Sequence, residues 1–225
     1  LVDESFDYGM HHPCGIGAQQ PYTGGWHILG GVLGQDLYLD EFLPIVKRYR
    51  ALWCPAMTGL LSCCDPAGTH ESSQGVRQNG LSILRDYDIT PVWRDNSNAP
   101  DVRYATIERL AALMLRRSVS GGEAFSVNND PSRWIVVSAD GPREGMAILA
   151  DGCEAGYVWD PIDVSVGSKK VRRPRKEKWY EHPMNCLEYL ELNFGADQPT
   201  QEEQARAKAK APTQAPGYGE QRWMG

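Results

Sequence analysis

The run GLLSCCD, residues 59–65, constrains the fold more than any other stretch. It is short and almost wholly apolar, as expected of a strand covered on both faces. It also follows PIVKRYRALWC (44–54), where Ile45, Val46, Tyr49 and Leu52/Trp53 fall at helical spacing and Lys47, Arg48 and Arg50 turn outward. A strand reached through a helix returns parallel to a neighbour, so the sheet that receives it is not a pure meander. Upstream, residues 1–9 read as a strand ending at Gly9. GWHILGGVLG (25–34) and DLYLDEF (36–42) read as two more, with Gly34 and Gln35 as a hairpin turn between them. Three such strands in succession predict an antiparallel meander.

Downstream the period alternates. Pro44 suits the first turn of its helix, NGLSILRDYD (79–88) reads as a helix and ITPVWR (89–94) as a strand. The spacing predicts a helix over 101–118, with Ile107, Leu110, Ala111 and Met114 on one face and Arg109, Arg116 and Arg117 flanking it. AFSVN (124–128) and WIVVS (134–138) are strand candidates. Residues 143–157 suggest a helix weakened by Gly152, and PMNCLEYLELNF (183–194) a final one. The expected class is α/β, a mixed central β-sheet flanked by helices on both faces, over residues 1–195. Beyond Gly195 the Gln/Ala/Pro/Gly-rich stretch 196–225 has no apolar period and does not offset its ordering entropy, which predicts a disordered tail.

A chain of 225 residues with 41% hydrophobic content suits one packed domain and a tail. No apolar run approaches the roughly 18 residues of a membrane span, and no basic-then-apolar leader is present. The start at Leu1, directly in strand-like sequence, is expected of a piece of a longer polypeptide. The six cysteines lack paired spacing, which predicts reduced thiols. Cys63 and Cys64 are vicinal on a strand and face opposite ways, which argues against a shared zinc. The net charge of −6 excludes a surface that is basic all over. Positive charge gathers instead in KKVRRPRKEK (169–178), seven cations against Glu177.

Asp7 sits between Phe6 and Tyr8, where an apolar strand ordinarily carries Val or Ile. Burying a lone carboxylate costs several kcal/mol unless it is paired. Asp65 ends the 59–65 strand; alone, it reads as a turn residue bonding the backbone of its own loop. If the two strands are neighbours, the carboxylates sit side by side, and a hard divalent cation, Mg²⁺ or Mn²⁺, relieves their repulsion. Two such ions about 3.5–4 Å apart clamp the attacking and leaving oxygens of a phosphodiester. In the last helix Glu181, Asn185 and Glu188 share a face, with His182 near its start. Capping of that helix by His182 or Asn185 is the structural alternative.

FDYG in the first strand, DPAG after the fourth and EHPMNCLEYL opening the last helix together resemble the nuclease domain of phage terminase large subunits, over roughly residues 1–195. The resemblance implies an RNase H-like fold and metal-dependent endonuclease cleavage of concatemeric double-stranded DNA with two Mg²⁺ or Mn²⁺ ions. It matches Asp7 and Asp65 to the family's first two acids and places Asn185 at the third. Asn is neutral there, a departure from the pattern. Glu181 or Glu188 substitutes for the missing acid, or the site is weak, or Asn185 is an inactivating Asp→Asn change.

The resemblance further implies an upstream packaging ATPase, whose phosphate loop this chain lacks. It also implies a portal and a small terminase subunit as partners, and assembly in the host cytoplasm. The basic run then tracks DNA phosphates through Lys169, Lys170, Arg172, Arg173, Arg175, Lys176 and Lys178, with little sequence preference. A solvated charged loop is the other reading of that run. His182 is near enough to orient a water or phosphate; His11 and His12 read as turn residues, with a metal ligand or proton shuttle as the other reading, and the tryptophans as core and rim residues, with Trp179 in the basic run as a candidate DNA contact. Two other readings stay open: a catalytically silent module that grips DNA or docks on the portal, and another RNase H-like nuclease such as a junction resolvase.

Overall fold

A computed structural model describes residues 2–8, 12–20, 25–54, 60–65, 79–94, 99–115, 124–153, 164–166, 169–171 and 181–195. The expected tail, 196–225, lies outside them. Strands β1 (Val2–Asp7), β2 (Cys14–Gln19) and β3 (Trp26–Gly34) form the antiparallel meander. Helix α1 (Leu39–Tyr49) then carries the chain to β4 (Leu60–Cys64), which lies parallel to β1. Helices α2 (Gly80–Asp86) and α3 (Pro100–Leu115) follow. Strands β5 (Phe125–Val127) and β6 (Trp134–Ser138) both run parallel to β3, and β7 (Gly141–Glu144) pairs antiparallel with β6. The result is a mixed seven-stranded sheet ordered β4-β1-β2-β3-β6-β7, with β5 also on β3. Helix α4 (Met146–Asp151), the separate hairpin β8 (Val164–Val166) and β9 (Lys169–Val171), and α5 (Glu181–Phe194) complete the described elements.

Helices cover both faces. Phe6, Val32, Phe42, Leu43, Val46 and Leu84 pack the α1/α2 side, and Ile16, Ile28, Leu110, Leu149, Leu187 and Leu190 the α3/α4/α5 side. Cys63 and Cys64 fall into opposite cores, as the strand period requires. Among the described residues no helix is long and apolar enough to cross a membrane.

Several expectations need correction. Residues 36–42 are not a strand. Alternation over so few residues is also compatible with helix, and Leu39, Phe42, Leu43 and Val46 recur at helical spacing, the last three fully buried. Asp40 and Glu41 occupy the first turn and Lys47 and Arg48 the last, favourable for the helix dipole. Pro44 therefore lies inside α1 rather than in its first turn. Having no N–H, it leaves the Asp40 carbonyl free, and the Tyr87 hydroxyl donates to that oxygen at 3.3 Å.

The meander's middle strand is Cys14–Gln19, whose two glycines disguise it. A Cβ on Gly17 would lie 2.3 Å from the Trp53 ring, so this strand carries glycine to admit the indole. Strand β4 is less buried than expected: Leu61 is 36% exposed, because β4 closes the ordered path of the sheet. Residues 89–94 give one bridge, Val92 to Cys63, rather than a strand. Residues 141–144 are strand, and of the helix expected over 143–157 the described residues give Met146–Asp151, with 154–157 outside the described residues. On α3 the buried face is Thr106 and Leu110, with Leu113 and Met114 partly covered, and Ala111 is exposed.

Asp3, also buried on β1, has its carboxyl pushed up to about 6 by burial. A folded pKa above the unfolded value gives stability that is complete below about 3.8 and lost as pH rises through about 6. Asp3→Asn is expected to flatten this dependence and to stabilise the protein at pH 7.5 by on the order of 2 kcal/mol. Urea unfolding at pH 4.5, 6 and 7.5 measures it; an unchanged pH slope would contradict the assignment.

Candidate metal and nuclease site

The pairing of β1 with β4 decides where the acids meet. Phe6 is in register with Cys64, and the Asp65 N–H donates to the Phe6 carbonyl at 3.3 Å. Asp7 and Asp65 therefore follow side by side at the C-terminal ends of adjacent parallel strands, whose backbones run about 4.8 Å apart. Asp7 is 5% exposed and Asp65 half-buried. Both charges act on Tyr189 of α5, whose hydroxyl pKa is raised first by burial and then by these two carboxylates.

Helix α5 supplies the rest of the corner. It packs on β1, β2 and β4, with α3 against its other side, and this encloses every residue from Pro183 to Asn193. Its first turns aim at Asp7. Asn185 Nδ2 donates to Asp7 Oδ2 at 2.8 Å, and His182 Nδ1 lies 3.3 Å from the same oxygen. The His182 ring stands 5.9 Å, centroid to centroid, from that of His12. The Asn185 side chain is thus directed across to the sheet, not to a cap of its own helix. Glu181 is partly buried in the same first turn.

Glu188 takes a different direction. Arg103 of α3 grips it with two of its nitrogens, Nε to Oε2 at 2.8 Å and Nη2 to Oε1 at 3.1 Å, and Nη2 also donates to Asn185 Oδ1 at 2.8 Å. Six residues further along α3 and three further along α5, Arg109 bonds Glu191, which also accepts from Trp26 Nε1 at 2.8 Å. Arg103 was not among the residues the sequence singled out. Its signal was there: Asn185, Glu188 and Glu191 repeat at three-residue spacing, and so do Arg103, Thr106 and Arg109. That spacing puts each set on one face of its helix, and Arg103 and Arg109 bond across from α3 to α5 while Thr106 bonds within α3.

The corner offers hard oxygen ligands of the type that Mg²⁺ and Mn²⁺ favour, two adjacent carboxylates of which Asp7 is met by an amide and an imidazole. Asn185 presents hydrogen to that corner rather than a lone pair. Among the described residues no set of three or more His, Cys, Asp or Glu side chains is arranged to hold a metal ion. Lys169 and Lys170 lie on β9, paired with β8. Arg172, Arg173, Arg175, Lys176, Lys178, Trp179 and His11 lie outside the described residues. Comparison with protein-family models, with curated proteins and with solved structures finds no match.

Proposed function

We propose that this chain is a divalent-metal-dependent endonuclease domain acting on double-stranded DNA, RNase H-like in fold and of the kind carried by phage terminase large subunits. The observation that carries the reading is the register of β1 and β4, which brings Asp7 and Asp65 together from opposite ends of the first 65 residues. The meander followed by a fourth strand parallel to the first supports it, as does a buried helix whose first turns address the same carboxylates. A purely structural Asp7 would gain nothing from a second acid beside it.

In this reading Asp7 and Asp65 would hold Mg²⁺ or Mn²⁺, which would supply water activation and charge neutralisation for phosphodiester hydrolysis. His182, 3.3 Å from Asp7 Oδ2, would be the residue to orient a water or phosphate there. The half-buried Asp65 marks the side from which a phosphodiester approaches. Lys169, Lys170 and the cations after them hold the duplex through its phosphates. The partners of the reading are an upstream packaging ATPase, a small terminase subunit and a portal, met in the host cytoplasm.

A second reading has its own support. Asn185 turned nitrogen-first toward Asp7 favours a silent module that grips DNA without cutting it. Supercoiled plasmid incubated with the protein and Mn²⁺ separates the two. The first reading expects nicks that EDTA abolishes, and faster nicking in Asn185→Asp, where a third carboxylate joins the pair. Duplex binding with no nicking in any divalent ion, in either form, would favour the second.

A further inference from the structure

We propose that Arg103 is a positioning residue: it fixes the amide of Asn185 with its nitrogen toward Asp7, so that position 185 contributes a hydrogen-bond donor instead of an oxygen ligand. The bonding pattern permits one orientation. Arg103 Nη2 donates to Oδ1 at 2.8 Å, while Nδ2 donates to Asp7 Oδ2 at 2.8 Å. Turning the amide over would set its N–H groups against a guanidinium and its oxygen against a carboxylate, two repulsive contacts in a site where Asn185 is 5% exposed. Arg103 is itself held, because its planar fork is committed to both oxygens of Glu188. Glu188, Arg103, Asn185 and Asp7 therefore form one chain of bonds from α3 through α5 to the sheet.

The consequence for the carboxylate pair rests on the metal-site reading above. A cation at Asp7 and Asp65 would meet the N–H face of the amide. The guanidinium two bonds away would oppose it further. Releasing the amide lets Oδ1 turn to the corner, which adds a neutral oxygen ligand. Arg103 thereby tunes the corner toward weaker metal binding.

The amide itself gives a readout that does not require metal. In the ¹⁵N-labelled full chain, the Asn185 Nδ2H₂ signal, assigned by its loss in Asn185→Asp, is expected to show slow solvent exchange and widely separated proton shifts. In Arg103→Met/Glu188→Leu both partners become apolar and no buried charge is orphaned. The two shifts should then converge, exchange should quicken at least about tenfold, and Mn²⁺ measured by calorimetry should bind about tenfold more tightly. Should that variant fail to fold, Arg103→Lys decides: its single ammonium stays with Glu188 and frees Asn185, so the same signal change is expected. An unchanged amide signal in the folded variant overturns the proposal. If Mn²⁺ binds none of these proteins, or binds Asp7→Ala as well as the parent, the metal reading fails, while the amide signal still decides the role of Arg103.

Discussion

In Asp7→Asn, Mn²⁺-dependent nicking should fall by more than about a hundredfold, since disturbing even a residue behind a ligand commonly costs 10–100-fold. The same protein in EDTA should be the more stable of the two, by about 1 kcal/mol, or a rise in Tm of about 2–4 °C. The two effects have one cause. Asp7 and Asp65 are adjacent like charges, and the Asn185 amide and the His182 imidazole are the partners that Asp7 meets from α5. Asparagine at position 7 keeps an oxygen to accept from Asn185 Nδ2 and removes the repulsion. It also removes the charge that a cation requires. A carboxylate kept for function at the expense of the fold behaves this way, whereas a structural one does not. Thermal melts with EDTA and with Mn²⁺ measure it: the parent should gain stability on adding Mn²⁺ and the variant should not. A variant that melts lower in EDTA and still nicks plasmid would mark Asp7 as structural.

What the sequence made legible follows from which interactions are local. The period changes around 44–54 and 183–194 are within-helix facts: the last helix is where it was expected, two residues longer at its start, while α1 begins and ends five residues before the expected span. The meeting of Asp7 and Asp65 was legible too, because a parallel return after a helix leaves few places for the fourth strand. The middle strand of the meander was not. Cys14–Gln19 contains Gly15 and Gly17, poor strand residues by propensity. The reason Gly17 is glycine is an indole 36 positions away in sequence, a tertiary fact with no local trace. Residues 36–42 failed for the opposite reason: a few alternating apolar residues satisfied strand and helix alike, and burial against Val32 and Phe6 decided between them.

The candidate site divides along the same line. Asp7, Asp65, Asn185 and His182 stand out as polar residues in apolar elements, and the structure brings them together. Glu188 stood out equally, yet its oxygens go to Arg103 and not to the corner. Which of two neighbouring acids on one helix face reaches a site depends on what packs beside that helix. The α3–α5 contact joins residues about 80 positions apart, and only a comparison of the two helices' polar rows would have exposed it.

The largest loss of stability is expected where the fold buries a full charge. Glu4, at the middle of β1, has no exposed surface, and it faces the α1 side, opposite to Asp7. Arg50, in the 3-10 turn that ends α1, donates Nε to Oε2 at 3.0 Å and Nη2 to Oε1, and Ser62 Oγ donates to Oε1 at 2.6 Å. Such a pair contributes little net stability when whole, since its attraction mainly offsets desolvation. Broken, it is costly. Arg50→Met leaves Glu4 ionised in the core with one hydroxyl bond at full strength, and should destabilise the protein by about 3–5 kcal/mol. That is a large share of the roughly 5–15 kcal/mol that holds a domain together, and corresponds to a fall in Tm of about 6–20 °C. Glu4→Leu/Arg50→Met removes both charges and should recover most of the loss. Because β1 carries Asp7 three residues beyond Glu4, the single variant should also lose nicking at temperatures where the double variant retains it. Urea unfolding of the parent, the single and the double variant at pH 7.5 measures the loss and its recovery. If Arg50→Met cost less than about 1 kcal/mol, or if the double variant recovered none of the loss, the Glu4–Arg50 pair would not be what holds this part of the core.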